Sequence, residues 1–198
     1  STPTMYLDSA GNIDRRRTAT GYLAPGVPGT PRGLELAHRR YGKLPWRDVV
    51  TPAVELARGF PLSGALARSL NREVTRNMQP YAASVAAYGR PGGGEWVEGD
   101  TMRLPDLART LEAIANEGAD AFYRGWIADS IAGDMARNGG LISKRDLAEY
   151  AAKERRPVHG TYRGYDVYAM APPSSGGVAL VQMLNIRMDA RARRLQSA

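Results

Sequence analysis

Cysteine is absent from the 198 residues, so neither a disulfide nor a thiolate metal site can form, and the redox compartment is left open. Histidine occurs twice, at His38 in a helical stretch beside Arg39 and Arg40, and at His159 in a strand-like stretch. A zinc site needs three or four ligands at suitable spacing, and two separated histidines with scattered carboxylates do not supply them. Both histidines read as structural rather than as a catalytic base, and no metal or cofactor is expected. No apolar run approaches the roughly 18 residues of a membrane-spanning helix. Residues 1 to 17 are polar and charged, which is not the pattern of a signal peptide. The Gly-x-Ser-x-Gly nucleophile elbow is missing, and so is a glycine-rich loop ending in Lys-Ser/Thr. No internal repeat is visible. Spacing alone therefore reveals no complete active site.

What is present is a hydrophobic fraction of 43%, enough for a core, and a net charge of +7. Residues 187–198 hold four arginines and one aspartate, or +3, leaving +4 for residues 1–186, and Arg15-Arg16-Arg17 forms a second cluster. Basic patches can serve nucleic acid. Here they come without an RNA-recognition aromatic signature, zinc-finger spacing or a basic zipper, so no nucleic-acid partner is expected. The last twelve residues combine like charges with no apolar periodicity, which predicts disorder.

Most of the chain has helical signals. Residues 1–33 read as coil with turns, with Thr4 to Leu7 as a possible short strand. Thr30-Pro31 predicts a helix start, Thr as N-cap, running to Tyr41 and stopping at Gly42. Pro45 opens another helical stretch that Thr51-Pro52 restarts and Gly59 ends. Ser63 caps a helix to about Arg76. Residues 77–103 are weaker, with Gly92-Gly93-Gly94 as a loop. Leu104, Leu107, Ala108, Leu111, Ile114 and Ala115 follow core-facing helical spacing, with Pro105 near the start and Gly118 at the end. Trp126, Ile127, Ile131 and Met135 mark the next helix, ending at Asn138-Gly139-Gly140. Ser143 to Asp146 resembles a capping box. Glu112, Asp129 and Asp134 read as solvated helix faces. Then the period changes to two: Val158, Gly160 and Tyr162, followed by Tyr165, Val167 and Ala169, predict a hairpin about an Arg163-Gly164 turn.

That hairpin feeds the most distinctive stretch, Pro172-Pro173-Ser174-Ser175-Gly176-Gly177. The prolines fix φ and remove two donors. Ser174 or Ser175 can cap the helix that follows. Gly176 and Gly177 admit a close backbone or ligand. Residues 178–186 are apolar apart from Gln182 and Asn185, which predicts a buried helix. The plain reading is a capped core helix with a tight entry. The functional one is a loop that lines a site.

Several segments occur in one order: Pro25-Gly26-Val27-Pro28-Gly29-Thr30, Tyr41-Gly42-Lys43-Leu44-Pro45-Trp46, Asn138-Gly139-Gly140-Leu141-Ile142-Ser143, Tyr162-Arg163-Gly164-Tyr165 and the Pro172–Gly177 loop. Together they resemble the large subunit of the γ-glutamyltranspeptidases, over roughly Met5 to Ile186. The resemblance implies an N-terminal-nucleophile hydrolase with a four-layer αββα sandwich in the intact protein, of which this segment supplies mainly helices and one hairpin. It implies a precursor that cuts itself into two subunits, and a threonine at the start of the small subunit that attacks γ-glutamyl amides such as glutathione. The glutamyl group then passes to water, an amino acid or a peptide. The small subunit and a γ-glutamyl substrate are the implied partners, and a periplasmic or extracellular location is implied by the family alone. The family's Thr-Thr-His nucleophile motif is absent here, and its carboxylate-binding Arg-Glu segment would precede Ser1, so no catalytic residue is assigned in this chain. Residues 1–186 are read as part of the large subunit and 187–198 as a basic tail unlike it. The alternatives are a related acylase of the cephalosporin type, or a noncatalytic basic helical binding module.

Overall fold

Short helices joined at glycine and proline punctuation dominate the computed structural model, which describes residues 2–196, with side chains to residue 188. The chain divides into two compact units, Ser1–Ala152 and Lys153–Ala198.

The first unit is helical. Asp14 accepts from the backbone N–H groups of Arg16 and Arg17 and starts a five-residue helix, α1 (Arg15–Ala19), where coil is expected from the sequence. The arginine run thus follows a good cap. Thr4 to Leu7 forms only an isolated bridge, Leu7 to Ile13. Helix α2 (Thr30–Tyr41) begins one residue earlier than Thr-as-cap implies, with Gly29 in the cap position and no side-chain cap. Helix α3 (Trp46–Arg58) carries Pro52 within it rather than restarting there. Strand β1 (Phe60–Pro61) pairs antiparallel with β2 (Thr101–Met102). Between them Ser63 caps α4 (Gly64–Glu73), which passes into a π-helical turn (Val74–Met78), and α5 (Ala82–Tyr88) follows where the periodicity is weak. Helices α6 (Pro105–Glu117), α7 (Asp120–Tyr123), α8 (Gly125–Arg137) and α9 (Lys144–Ala148) complete the unit, the last with the expected capping box of Ser143 and Asp146.

Three contacts hold this unit. Helices α3 and α6 pack through Val54, Ala57, Ala108, Ile114 and Ala115, all buried. The Trp46 indole N–H donates to the Ile114 carbonyl at 2.8 Å. A second cluster gathers Leu62, Ala67, Trp96 and Met102 under the β1–β2 pair. The third places Tyr123, Ala119, Ala128, Ile142 and Leu147 together. Tyr123 is fully buried; its hydroxyl donates to the Pro28 carbonyl (2.7 Å) and accepts from the Arg32 N–H (3.3 Å).

Next to Tyr123 lies the one buried charged residue among those described, Glu35, 8% exposed. Its carboxylate accepts from the Ala119 N–H at 3.0 Å and pairs with Arg32 at 3.2 Å and with Arg39 at 3.3 Å. Arg32 reaches on to Asp120 at 2.6 Å. Burial disfavours the Arg32 charge, but the hydrogen bonds to Asp120 and Glu35 outweigh it and raise its pKa; the same Arg32 bond lowers that of Asp120. The carboxylate thus ties the start of α2 to the α6–α7 junction. Glu35→Gln keeps the shape but weakens the charge-assisted bonds, and is expected to lower stability by about 1–2 kcal/mol. Urea unfolding of the variant measures this.

The second unit is a hairpin covered by one helix. Strand β3 (Val158–Tyr162) pairs antiparallel with β4 (Tyr165–Ala169), Val158 opposite Ala169 and Tyr162 opposite Tyr165. Arg163 and Gly164 form the turn, both with positive φ (51° and 84°), as a two-residue hairpin loop requires. Helix α10 (Gly176–Gln196) packs across the hairpin. It continues through most of the segment for which disorder is expected. Its Arg, Ala, Leu, Met and Gln residues are good helix formers, and helical propagation outweighs the like charges. Residues 197 and 198 of that segment lie outside the described residues.

Candidate functional site

The hairpin and α10 set the position of the Pro172–Gly177 loop. Ala169 ends β4, Met170 and Ala171 follow, and the loop turns the chain back into α10. The Pro172–Pro173 peptide bond is cis. Of the two candidate caps, Ser174 supplies the side chain: its Oγ accepts from the Gly176 N–H at 3.3 Å. Ser175 contributes its carbonyl, which accepts from the Ala179 N–H at 3.0 Å. Pro172, Pro173, Ser175 and Gly176 are exposed, Ser174 is half-buried and Gly177 is buried. The loop is therefore an exposed rim fastened at one end by a buried glycine.

The two glycines differ in what they permit. A methyl group on Gly176 would meet only the Ser174 Oγ, at 3.5 Å, which is ordinary contact. A methyl group on Gly177 would overlap the Met170 carbonyl oxygen and stand 2.9 Å from the Ala169 Cβ. Gly177 lets the first turn of α10 sit directly on the end of β4. Gly160 does the same further along: a methyl there would stand 2.7 Å from Val181 Cγ1. The alternation places Gly160 inside a strand, and a glycine there is itself a signal of close approach.

Burial of α10 is not complete, contrary to expectation. Gly177 is buried, and Val178, Val181 and Leu184, three residues apart, are partly buried. Leu180, Met183 and Ile186 are 41%, 58% and 67% exposed. One helix on one hairpin has a single face to cover, so the opposite apolar face stays open in this chain.

Among the described residues neither histidine is hydrogen-bonded to a serine or threonine hydroxyl. His159 Nε2 bonds Asp166 Oδ1 at 2.7 Å across the hairpin, and its ring stacks on Tyr168 at 4.7 Å. His38 Nε2 lies 2.9 Å from the Leu44 carbonyl, and its ring meets Trp46 edge-on. Each histidine thus has a local partner within its own unit. Glu112 pairs with Arg58, Asp129 with Lys144 and Asp134 with Arg137, all on partly exposed helix faces. Among the described residues no group of three potential metal ligands comes together, and no helix is long and apolar enough to cross a membrane.

Comparison with known proteins gives this chain its family. The sequence profile described as Gamma-glutamyltranspeptidase matches residues 1–197. The chain belongs to the γ-glutamyltranspeptidase family. It is 47% identical over 187 residues to the glutathione hydrolase proenzyme of Escherichia coli K12, covering 94% of this chain and 32% of that protein. It is 40% identical over 174 residues to the acylase ACY 1 proenzyme of Pseudomonas sp. SE83, covering 86% of this chain and 30% of that one. Among solved structures, Helicobacter pylori γ-glutamyltranspeptidase superposes with a TM-score of 0.86 at 42% identity, over 94% of this chain and 53% of that chain. The chain therefore spans about a third of the length of the curated relatives it matches. As a γ-glutamyltranspeptidase family member it has the N-terminal-nucleophile hydrolase fold class, and this segment contributes helices and a hairpin to it, as the ordered motifs imply.

Proposed function

We propose that this chain is a large-subunit segment of an enzyme that cleaves γ-glutamyl amides such as glutathione and passes the glutamyl group to water, amino acids or peptides. The observation that carries the reading is the 47% identity to a glutathione hydrolase proenzyme across nearly the whole chain. Residues 1–186 act as part of the large subunit, and residues 187–198 are a basic tail unlike the rest of it. The attacking threonine belongs to the small subunit of the same precursor, where its own amine can serve as base. The Pro172, Pro173, Ser174, Ser175, Gly176 and Gly177 rim forms part of the active-site wall and does no chemistry itself. Its exposed Pro172, Pro173 and Ser175 can face a substrate, while Ser174 caps the helix and Gly177 holds the loop in position. Export to the periplasm or cell exterior goes with this reading.

A second reading, an acylase, is favoured by the 40% identity to an acylase proenzyme. Substrate choice separates the two. The full polypeptide from the native reading frame is expected to release nitroaniline from a γ-glutamyl anilide much faster than from a glutaryl anilide. The two differ by the α-amino group, and a site built to bind a polar group discriminates strongly against a ligand lacking it. Preference for the glutaryl compound would select the acylase.

A further inference from the structure

Charge in this chain is uneven. Residues 153–198 hold eight cations and three acids, so +5 of the net +7 lies in the second unit. A cleft of about 420 Å³ opens beside the loop, lined by Lys153, Arg155, Pro157, Tyr168, Met170 and Pro173 among others. All of its lining belongs to the second unit. Neither Lys153 nor Arg155 has an ion-pair partner among the described residues. Tyr168 and Met170 are largely exposed, so the cleft carries open apolar surface as well as the two cations.

We propose that this cleft is an interaction surface for an acidic segment of the rest of the same polypeptide, with a carboxylate set between Lys153 and Arg155 and an apolar neighbour laid against Tyr168 and Met170. Three features favour that occupant. The free cations call for carboxylates. The exposed tyrosine and methionine call for apolar contact beside them, as in the core of a protein interface. And about two thirds of the length of the matched relatives lies outside this chain. Nucleic acid would satisfy the cations through its phosphates. It leaves Met170 without a partner, and stacked bases would need an aromatic surface beyond a single tyrosine. The surface rests on the reading of this chain as a large-subunit segment.

Zero-length crosslinking of the full polypeptide tests it. A carbodiimide joins a lysine amine to a carboxylate only when the two are in contact. The chain has three lysines, Lys43, Lys144 and Lys153. Lys144 lies 2.6 Å from Asp129, so the Asp129–Lys144 link is the internal control. The expected result is a peptide containing Lys153 joined to an Asp or Glu outside residues 1–198. Arg155→Lys should add a second link to the same segment. Arg155→Glu should reduce the Lys153 link several-fold and leave the control link unchanged. A control link without any Lys153 link, or Lys153 joined only within residues 1–198, overturns the proposal. So does nucleic acid retained through purification in place of such a link. The readout is scored whether or not the polypeptide cleaves γ-glutamyl anilides, so this inference and the proposed activity fail separately.

Discussion

Gly177→Ala is expected to destabilise the second unit by about 3 kcal/mol, the upper part of the usual range for overpacking. Gly176→Ala, one residue earlier, should be neutral or stabilising by roughly 0.5–1 kcal/mol, because alanine loses less backbone entropy in a helix. Both glycines stand in the first turn of α10, and neither has a positive φ, so backbone strain does not separate them. What separates them is the neighbour. The added methyl meets a serine hydroxyl at ordinary distance in one case and a backbone carbonyl in the other. A side chain can rotate away from a methyl group. The Met170 carbonyl follows directly on β4 and can move only if α10 lifts from the hairpin. Lifting α10 would also open the Gly160–Val181 contact, and would shift the Pro172–Ser175 rim. In the full polypeptide the same variant should therefore lose γ-glutamyl turnover along with thermal stability, whereas Gly176→Ala should retain both. Thermal melts and anilide turnover of the two variants, measured side by side, check this. Equal behaviour of the pair would mean that the close approach at Gly177 does not matter.

The motifs that carried the family resemblance turn out to be joints. Pro28 supplies the carbonyl that receives the Tyr123 hydroxyl, and a methyl on Gly29 would stand 2.8 Å from the Tyr150 ring. Trp46 bonds across to α6, and a methyl on Gly140 would lie 3.1 Å from the Tyr22 carbonyl. Such positions are legible in a sequence because glycine, proline and tryptophan have few substitutes where space or φ is fixed. Helices with strong apolar spacing, such as α6 and α8, are legible for the same reason as any core face. The short α1, α5 and α7 are not, since four to seven residues give too little period to read. Helix α10 shows the opposite failure. Its composition says burial, yet one hairpin covers a single face, and Leu180, Met183 and Ile186 stay exposed. The loop from Pro172 to Gly177 is legible from its proline, serine and glycine pattern, whereas no motif in the sequence marks a reacting group.

Inactivity of residues 1–198 on their own is the other large expected effect. N-terminal-nucleophile catalysis needs a hydroxyl positioned against a base. Among the described residues no serine or threonine hydroxyl is hydrogen-bonded to a histidine; Ser174 and Ser143 serve as helix caps, and His159 is held by Asp166. On the proposed reading the attacking threonine belongs to the small subunit, so no glutamyl-enzyme is expected to form on residues 1–198 alone. The direct measurement is release of nitroaniline from a γ-glutamyl anilide by two purified proteins, residues 1–198 alone and the full polypeptide from the native reading frame. The account predicts no release above the uncatalysed background from the chain alone, and steady turnover from the full polypeptide after self-cleavage. Turnover by residues 1–198 at a rate comparable to the full polypeptide, or none from either, would contradict it.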